Sequence, residues 1–303
     1  KYYHHTADPN CEILPLMGSK EGIMHISMAF LNPGDKALIP NPGYPTYQSV
    51  TRLVEAAPVF YDLKAEHQWQ PDLEALDQMD LTAVKLMWIN YPHMPTGANA
   101  QKDTFEKLVA WAKEKDILLV NDNPYSFVLT DQPQSMMSVP GAMEVGMELN
   151  SLSKSFNMAG WRVGMVLGNE ENINAVLKVK SNMDSGMFYG IQQGAIAALQ
   201  AQESWFEKLN DIYRQRRKLI FELASLLNTD FDAHNSGLFV WAKMRDTSKS
   251  SVEYIEEILQ NHHIFIAPGS IFGSQGEGYI RFSLCVEELQ ISKALERIRK
   301  AWK

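Results

Sequence analysis

The residues with chemistry to offer stand just after short apolar runs. Five places are rich in them: Gly18-Ser19-Lys20-Glu21-Gly22, Asn41-Pro42-Gly43-Tyr44-Pro45, the run from Asn90 to Gly97, Asn121-Asp122-Asn123-Pro124-Tyr125, and Ser151-Leu152-Ser153-Lys154. In open α/β sheets a ligand lies beyond the carboxyl ends of the strands, so polar residues at those ends are the ones to weigh. The Gly18 turn leads into a helix near Glu21 and leaves several backbone N–H groups unpaired at its positive end. An anion such as phosphate suits that position, although many such turns bind nothing. Lys154 stands beside two hydroxyls, with Arg162 eight residues further on. Its amine, if deprotonated, could form a Schiff base while Ser151 and Arg162 hold a phosphate on the same ligand; the plain alternative is an exposed lysine. Ser-x-x-Lys also serves serine acyl-enzymes, but the Ser-Asp-Asn and Lys-Thr-Gly strings those enzymes need do not occur here.

Asp122 follows apolar residues that place its carboxylate at the edge of the core, where an unpaired charge is costly. It calls for a cation, either a protonated pyridine nitrogen or a structural salt-bridge partner. Tyr44, in a Pro-Gly-Tyr-Pro elbow, could lay its ring on a flat ligand or simply pack, and Tyr125 could reach that ligand or belong to the core. Arg281 lies in Gly278-Tyr279-Ile280-Arg281-Phe282-Ser283-Leu284, whose alternation puts Tyr279, Arg281 and Ser283 on one face. A guanidinium held by a half-buried strand suits bidentate grip on a carboxylate, and a surface ion pair is the rival reading.

The elements that must position these groups alternate. Residues 36–40, 84–89, 117–120 and 145–149 read as strands, 105–115 as a helix between them, and 12–17 as a strand-like opening. That alternation predicts a mostly parallel sheet covered by helices. From Gly190 to about Leu227 the chain is helical, with Arg214, Arg216, Arg217 and Lys218 expected on a solvated face. From about Asn228 come a strand around 237–241, a helix over 252–261, two further strands and a closing helix from 287. We therefore expect an α/β domain over residues 1–189, a helical connection over 190–227 and a smaller α+β domain over 228–303. The chain lacks an initiator Met and the opening elements of a full domain, so an N-terminal segment is expected to be missing.

The 303 residues, 45% hydrophobic and 21% charged, suffice for one large core or two smaller ones. A net charge of -8 with interspersed signs offers no basic stripe to a nucleic acid. Cys11 and Cys285 have neither disulfide-framework nor zinc spacing, which fits a reducing cytoplasm. No apolar run is long enough to span a bilayer. The pairs His4-His5 and His262-His263 are adjacent rather than i, i+4, so no metal site is expected, and the glycines from 273 to 278 precede a strand instead of opening a helix, unlike a dinucleotide loop.

In order and spacing, Gly-Ser-Lys, Pro-Gly-Tyr-Pro, Pro-Thr-Gly, Asp-x-x-Tyr, Ser-x-x-Lys with its distant Arg, and Tyr-Ile-Arg-Phe together resemble the fold-type-I pyridoxal phosphate enzymes, specifically the class I/II aminotransferases. The branch most resembled is that of the LL-diaminopimelate, succinyldiaminopimelate and aspartate-type enzymes. The resemblance implies a cofactor, pyridoxal 5'-phosphate, held by a Lys154 Schiff base. Asp122 would then sit on the ring nitrogen, Tyr125 on the ring oxygen and Tyr44 against the ring face. The backbone amides of Gly18, Ser19 and Lys20, with Ser151, Ser153 and Arg162, would hold the phosphate, and Arg281 the substrate α-carboxylate. It further implies two-stage transamination between an amino acid and a 2-oxo acid, and a homodimer with shared sites to which Asp184-Ser185-Gly186 of the partner chain are expected to contribute.

One position departs from the family pattern. Met94 stands where the family's Asn-Pro-Thr-Gly has Asn, and a thioether cannot donate. Asn90 is expected to lie too far away to replace it, leaving Tyr125 alone at the ring oxygen. The alternatives are a β-lyase or decarboxylase on the same fold, and a cofactor-binding regulatory domain without turnover.

Overall fold

Runs such as Lys36-Ala37-Leu38-Ile39 and Val84-Lys85-Leu86-Met87-Trp88-Ile89 carry enough β-branched and aromatic bulk to form strands covered on both faces. The protein is described here by a computed structural model covering residues 2–301. Lys1, Trp302 and Lys303, at the outer ends of the first and third stretches expected above, lie outside the described residues. Seven strands form the large sheet: β1 (Ile13–Leu16), β2 (Lys36–Asn41), β3 (Ala57–Asp62), β4 (Val84–Ile89), β5 (Leu118–Asn123), β6 (Gly146–Ser151) and β7 (Gly164–Gly168). Their order is β1-β7-β6-β5-β4-β2-β3. Strands β2 to β6 pair in parallel, while β7 runs antiparallel to both neighbours, β6 and β1. The carboxyl ends of β1, β2, β4, β5 and β6 therefore open on one edge, and the sequence pattern's expectation of a mostly parallel sheet holds.

Seven helices accompany that sheet: α1 (Ser19–Phe30), α2 (Pro45–Leu53), α3 (Leu73–Asp77), α4 (Thr104–Lys115), α5 (Ala142–Val145), the single turn α6 (Leu152–Ser155) and α7 (Glu170–Lys180). Alternating strand residues divide the core in two. Ile39, Leu86, Trp88 and Val120 pack with α1, α2 and α7, whereas Leu38, Met87 and Leu119 pack with α3 and α4. Two helices follow, α8 (Tyr189–Leu199) and α9 (Ser204–Leu226). Four antiparallel strands, β8 (Thr229–Phe231), β9 (Phe239–Met244), β10 (Ala267–Pro268) and β11 (Tyr279–Ser283), then form a second sheet in the order β10-β11-β9-β8. α9, α10 (Ser251–His262) and α11 (Glu288–Ala301) cover it.

One expectation needs correction. Arg216 and Arg217 are not on a solvated face. Arg216 reaches Glu288 Oε1 at 2.9 Å and Arg217 donates to the Asn235 carbonyl at 3.0 Å, so α9 spends both on the second sheet's surroundings. The helical stretch also breaks between α8 and α9. There the Trp205 Nε1–H donates to the Ser155 carbonyl at 3.1 Å and Phe206 stacks on Phe127, which docks the start of α9 on α6.

The loop after β4 joins the two sheets. Gly97 has φ +75°, and a Cβ there would stand 2.7 Å from the Ser236 carbonyl oxygen. Ser236 N–H donates to the Gly97 carbonyl at 2.8 Å and Asn235 Nδ2 to the Thr96 carbonyl at 2.8 Å. The Pro-Thr-Gly string thus lets two backbones meet where a side chain would not fit.

Candidate active site

Where the strand ends meet, they enclose a cavity of about 580 Å³ lined by Ser19, Lys20, Tyr44, Asp122, Tyr125, Ser151, Ser153, Lys154, Arg162 and Arg281. Of the residues expected to hold cofactor or substrate, all but Gly18 line it, while Asp184-Ser185-Gly186 do not.

Lys154 sits in α6, whose start is fixed by Ser151: its Oγ accepts the Ser153 N–H at 3.1 Å. The turn leaves Lys154 half-buried and facing the cavity, and among the described residues no carboxylate pairs with it. At the end of β5, Asp122 is buried. Its Oδ2 accepts from the Tyr47 hydroxyl at 2.9 Å, while Oδ1 is buried with no partner. Burial pushes its carboxyl up to about 7, with the Tyr47 hydrogen bond opposing and nearby Glu148 adding to the rise. A buried carboxylate oxygen left open on a cavity wall suits a cationic ring nitrogen.

Across the cavity, Gly18 precedes α1 with φ +87° and ψ 156°. A Cβ there would stand 2.3 Å from Arg162 Nη2, so the guanidinium occupies the space a side chain would take. Arg162 Nη1 also donates to the Ala159 carbonyl at 2.8 Å and lies 3.5 Å from Ser153 Oγ. No side chain caps α1, so its first N–H groups, Ser153 and Arg162 together form an anion cradle.

Tyr44 begins α2 and meets Tyr47 edge-on at 5.6 Å. Tyr125 is buried beside Phe239 at 6.2 Å, and burial pushes its phenol above the usual range. Arg281, on β11, lies over the Phe239 ring at 3.8 Å and the Phe272 ring at 4.5 Å. Burial lowers its pKa, its Nε is buried without a partner, and its Nη1 lies 3.3 Å from Met94 Sδ. No carboxylate among the described residues pairs with it, so its donors face the cavity.

Asn90 is nearer than its sequence position suggested, since it lines the cavity. Its amide is partly engaged: one N–H of Nδ2 donates to the Asp122 carbonyl at 2.5 Å and Oδ1 accepts the Met94 N–H at 2.7 Å. These bonds tie the loop after β4 to the end of β5 and so buttress the site. Asp184 is likewise engaged within this chain, by Lys180 and by the Gly186 N–H at 2.8 Å. Sequence reasoning missed Tyr47 and Phe239. Tyr47 was within reach of it, because three residues after Tyr44 a helix returns to the same face.

The residues present fit a flat phosphorylated pyridine in kind: an open buried acid, an anion cradle, an unpaired lysine and aromatic side chains line one cavity. The comparisons agree. The model of the family "Aminotransferase class I and II" matches residues 1–298, and the chain belongs to that family. It is 40% identical over 294 residues to an LL-diaminopimelate aminotransferase of Aquifex aeolicus, covering 96% of this chain and 76% of that one. With the enzyme of the same name from Halothermothrix orenii it shares 40% over 301 residues, 99% of this chain and 77% of the relative. Among solved structures, apo-BacF from Bacillus subtilis superposes with a TM-score of 0.94 at 36% identity, covering 99% of this chain and 80% of that one. A probable N-succinyldiaminopimelate aminotransferase from Thermus thermophilus gives 0.91 at 30%, covering 99% and 80%. The protein is thus a pyridoxal-phosphate-dependent enzyme that moves amino groups between amino acids and 2-oxo acids.

Proposed function

We propose that Lys154 is the residue that holds the cofactor covalently and that, once released by the substrate amine, carries protons at its Nζ. The observation that carries this reading is the meeting, in one cavity, of an unpaired lysine and a buried carboxylate oxygen with no partner. Bound there, pyridoxal phosphate supplies an electron sink for the carbanion formed at the substrate's α-carbon. Asp122, with its open Oδ1, would hold the ring nitrogen, Tyr125 would donate to the ring oxygen and Tyr44 would cover the ring. The first amides of α1, with Ser151, Ser153 and Arg162, would hold the phosphate. Arg281 orients the substrate by its α-carboxylate, and Phe239, Phe272 and Met94 keep water from its guanidinium.

Lys20, exposed at the cavity wall, adds a cation to Lys154, Arg162 and Arg281, which suits an amino acid with a further carboxylate. The LL-diaminopimelate aminotransferases among the relatives support a diamino dicarboxylic acid as that substrate. We read residues 1–189 as the cofactor domain, 190–227 as the connection and 228–303 as the smaller domain. We further infer a cytoplasmic homodimer; no helix among the described residues is long and apolar enough to cross a membrane.

The test is the absorption spectrum of the protein with added pyridoxal phosphate, followed through a panel of amino acids that includes LL-diaminopimelate. A cofactor band that LL-diaminopimelate converts to the amine form, and 2-oxoglutarate restores, is the expected result. Release of ammonia and a 2-oxo acid without any acceptor would make the enzyme a lyase, and a band that no amino acid changes would make it a binding protein.

A further inference from the structure

Among the described residues Asp122 is the one acid lining the cavity, and its environment works against its charge. It is buried, Glu148 lies close enough to raise its pKa, and no cation among the described residues pairs with it. The groups that face it are few. Tyr47 comes from α2, Tyr125 from the loop after β5, Glu148 from β6, and Lys154 looks into the same cavity from α6. Asn90 binds only its main-chain carbonyl.

Of these, only Tyr47 donates to the carboxylate. Its phenol is driven well above its ordinary pKa by burial and by Asp122 itself, so it remains a donor at any working pH. Nor can the ring swing away. It stacks on Trp88 at 5.1 Å with an interplanar angle of 7°, and the Trp88 carbonyl is tied to the Tyr61 hydroxyl at 2.7 Å. The Tyr47 N–H is bound to the Tyr44 carbonyl at 3.1 Å, so one turn of α2 carries both Tyr44 and this donor.

We propose that Tyr47 is a positioning residue for the cofactor: by occupying Oδ2 of Asp122 it commits Oδ1 to the cavity and keeps the carboxylate ionised there. The proton shared between carboxyl and ring nitrogen then stays on the nitrogen, where it is needed for electron withdrawal. Without the Tyr47 hydroxyl, a buried carboxylate with no donor of its own takes the proton back. The inference rests on the assignment of Asp122 to the ring nitrogen, and its test separates the two.

The experiment follows the ring-nitrogen resonance of the holoenzyme reconstituted with ¹⁵N-labelled pyridoxal phosphate, as a function of pH. In the wild type the nitrogen should resonate as a pyridinium. In Tyr47→Phe it should lose its proton at least about one pH unit lower, a tenfold weaker hold, and Tyr47→His, which retains a donor, should recover most of the loss. A merely structural Tyr47 would change the melting temperature and cofactor occupancy without moving the nitrogen, and an unmoved resonance in Tyr47→Phe overturns the proposal. A wild-type nitrogen that is already unprotonated near neutral pH would instead overturn the assignment of Asp122. Should Tyr47→Phe not fold, Tyr47→Met, which also lacks a donor, takes its place: a nitrogen that loses its proton at lower pH supports the proposal, and an unmoved one refutes it.

Discussion

Asp122 is required to be buried and charged at once, and that conflict is measurable. Its carboxyl rises from 3.8 to about 7 in the folded chain. Between those values the folded protein holds a proton that the unfolded chain has released, so stability falls as pH rises through the window and the deficit persists above it. Asp122→Asn removes the charge. Without cofactor, this variant should melt higher than the wild type at about pH 8, with the advantage shrinking towards about pH 5, while its affinity for pyridoxal phosphate falls about tenfold or more. Calorimetry at the two pH values checks the first part and cofactor titration the second. A wild type that matches or exceeds the variant at the higher pH would show that the carboxylate is not strained.

The sequence made much of this residue legible, because four apolar residues before an acid imply burial. It could not show which of the two oxygens is satisfied, since that depends on Tyr47, brought in by a different helix. Met94 reads the same way. Its inability to donate is a property of the residue type, but its contact with Arg281 arises only when the second sheet closes over the loop after β4.

At the level of elements, the phosphate cradle depends on a glycine. Gly18 combines φ +87° with an extended ψ, and the Arg162 guanidinium fills its side-chain space. Gly18→Ala should cost about 1–3 kcal/mol in stability through backbone strain alone. It should also displace Arg162 and weaken cofactor binding by about tenfold. Melting and titration together test this, and an unchanged affinity would remove Gly18 and Arg162 from the phosphate site.

The parallel strands β2, β4, β5 and β6 were readable because each is a compact apolar run ended by polar residues. The antiparallel β7 was not, being a short run between glycines with no alternation. The break between α8 and α9 was equally hidden. No glycine or proline marks it, and it exists because Trp205 and Phe206 find partners on the Lys154 turn and at Phe127.

For the molecule as a whole, several large apolar side chains on and around α8 are exposed. Phe188 is 74% and Tyr189 71% exposed, with Met183, Ile196, Leu199 and Trp161 also uncovered. Trp161, next to Arg162 in sequence, lies against α8 at Gly194. Apolar exposure of this kind calls for cover, and a second copy of the chain is the cover that the proposed homodimer supplies. The wild type should sediment as a dimer at micromolar concentration, and Phe188→Asp should shift it towards monomer and lower cofactor affinity. A monomeric wild type with full cofactor occupancy would contradict the shared site.

The account turns on Lys154, and the most direct measurement is borohydride reduction of the protein with bound pyridoxal phosphate, followed by mass mapping of its peptides. The account predicts one pyridoxyl group per chain, on the peptide that carries Lys154, and none after Lys154→Ala. Label on Lys20 instead, or undiminished label in the variant, would contradict it.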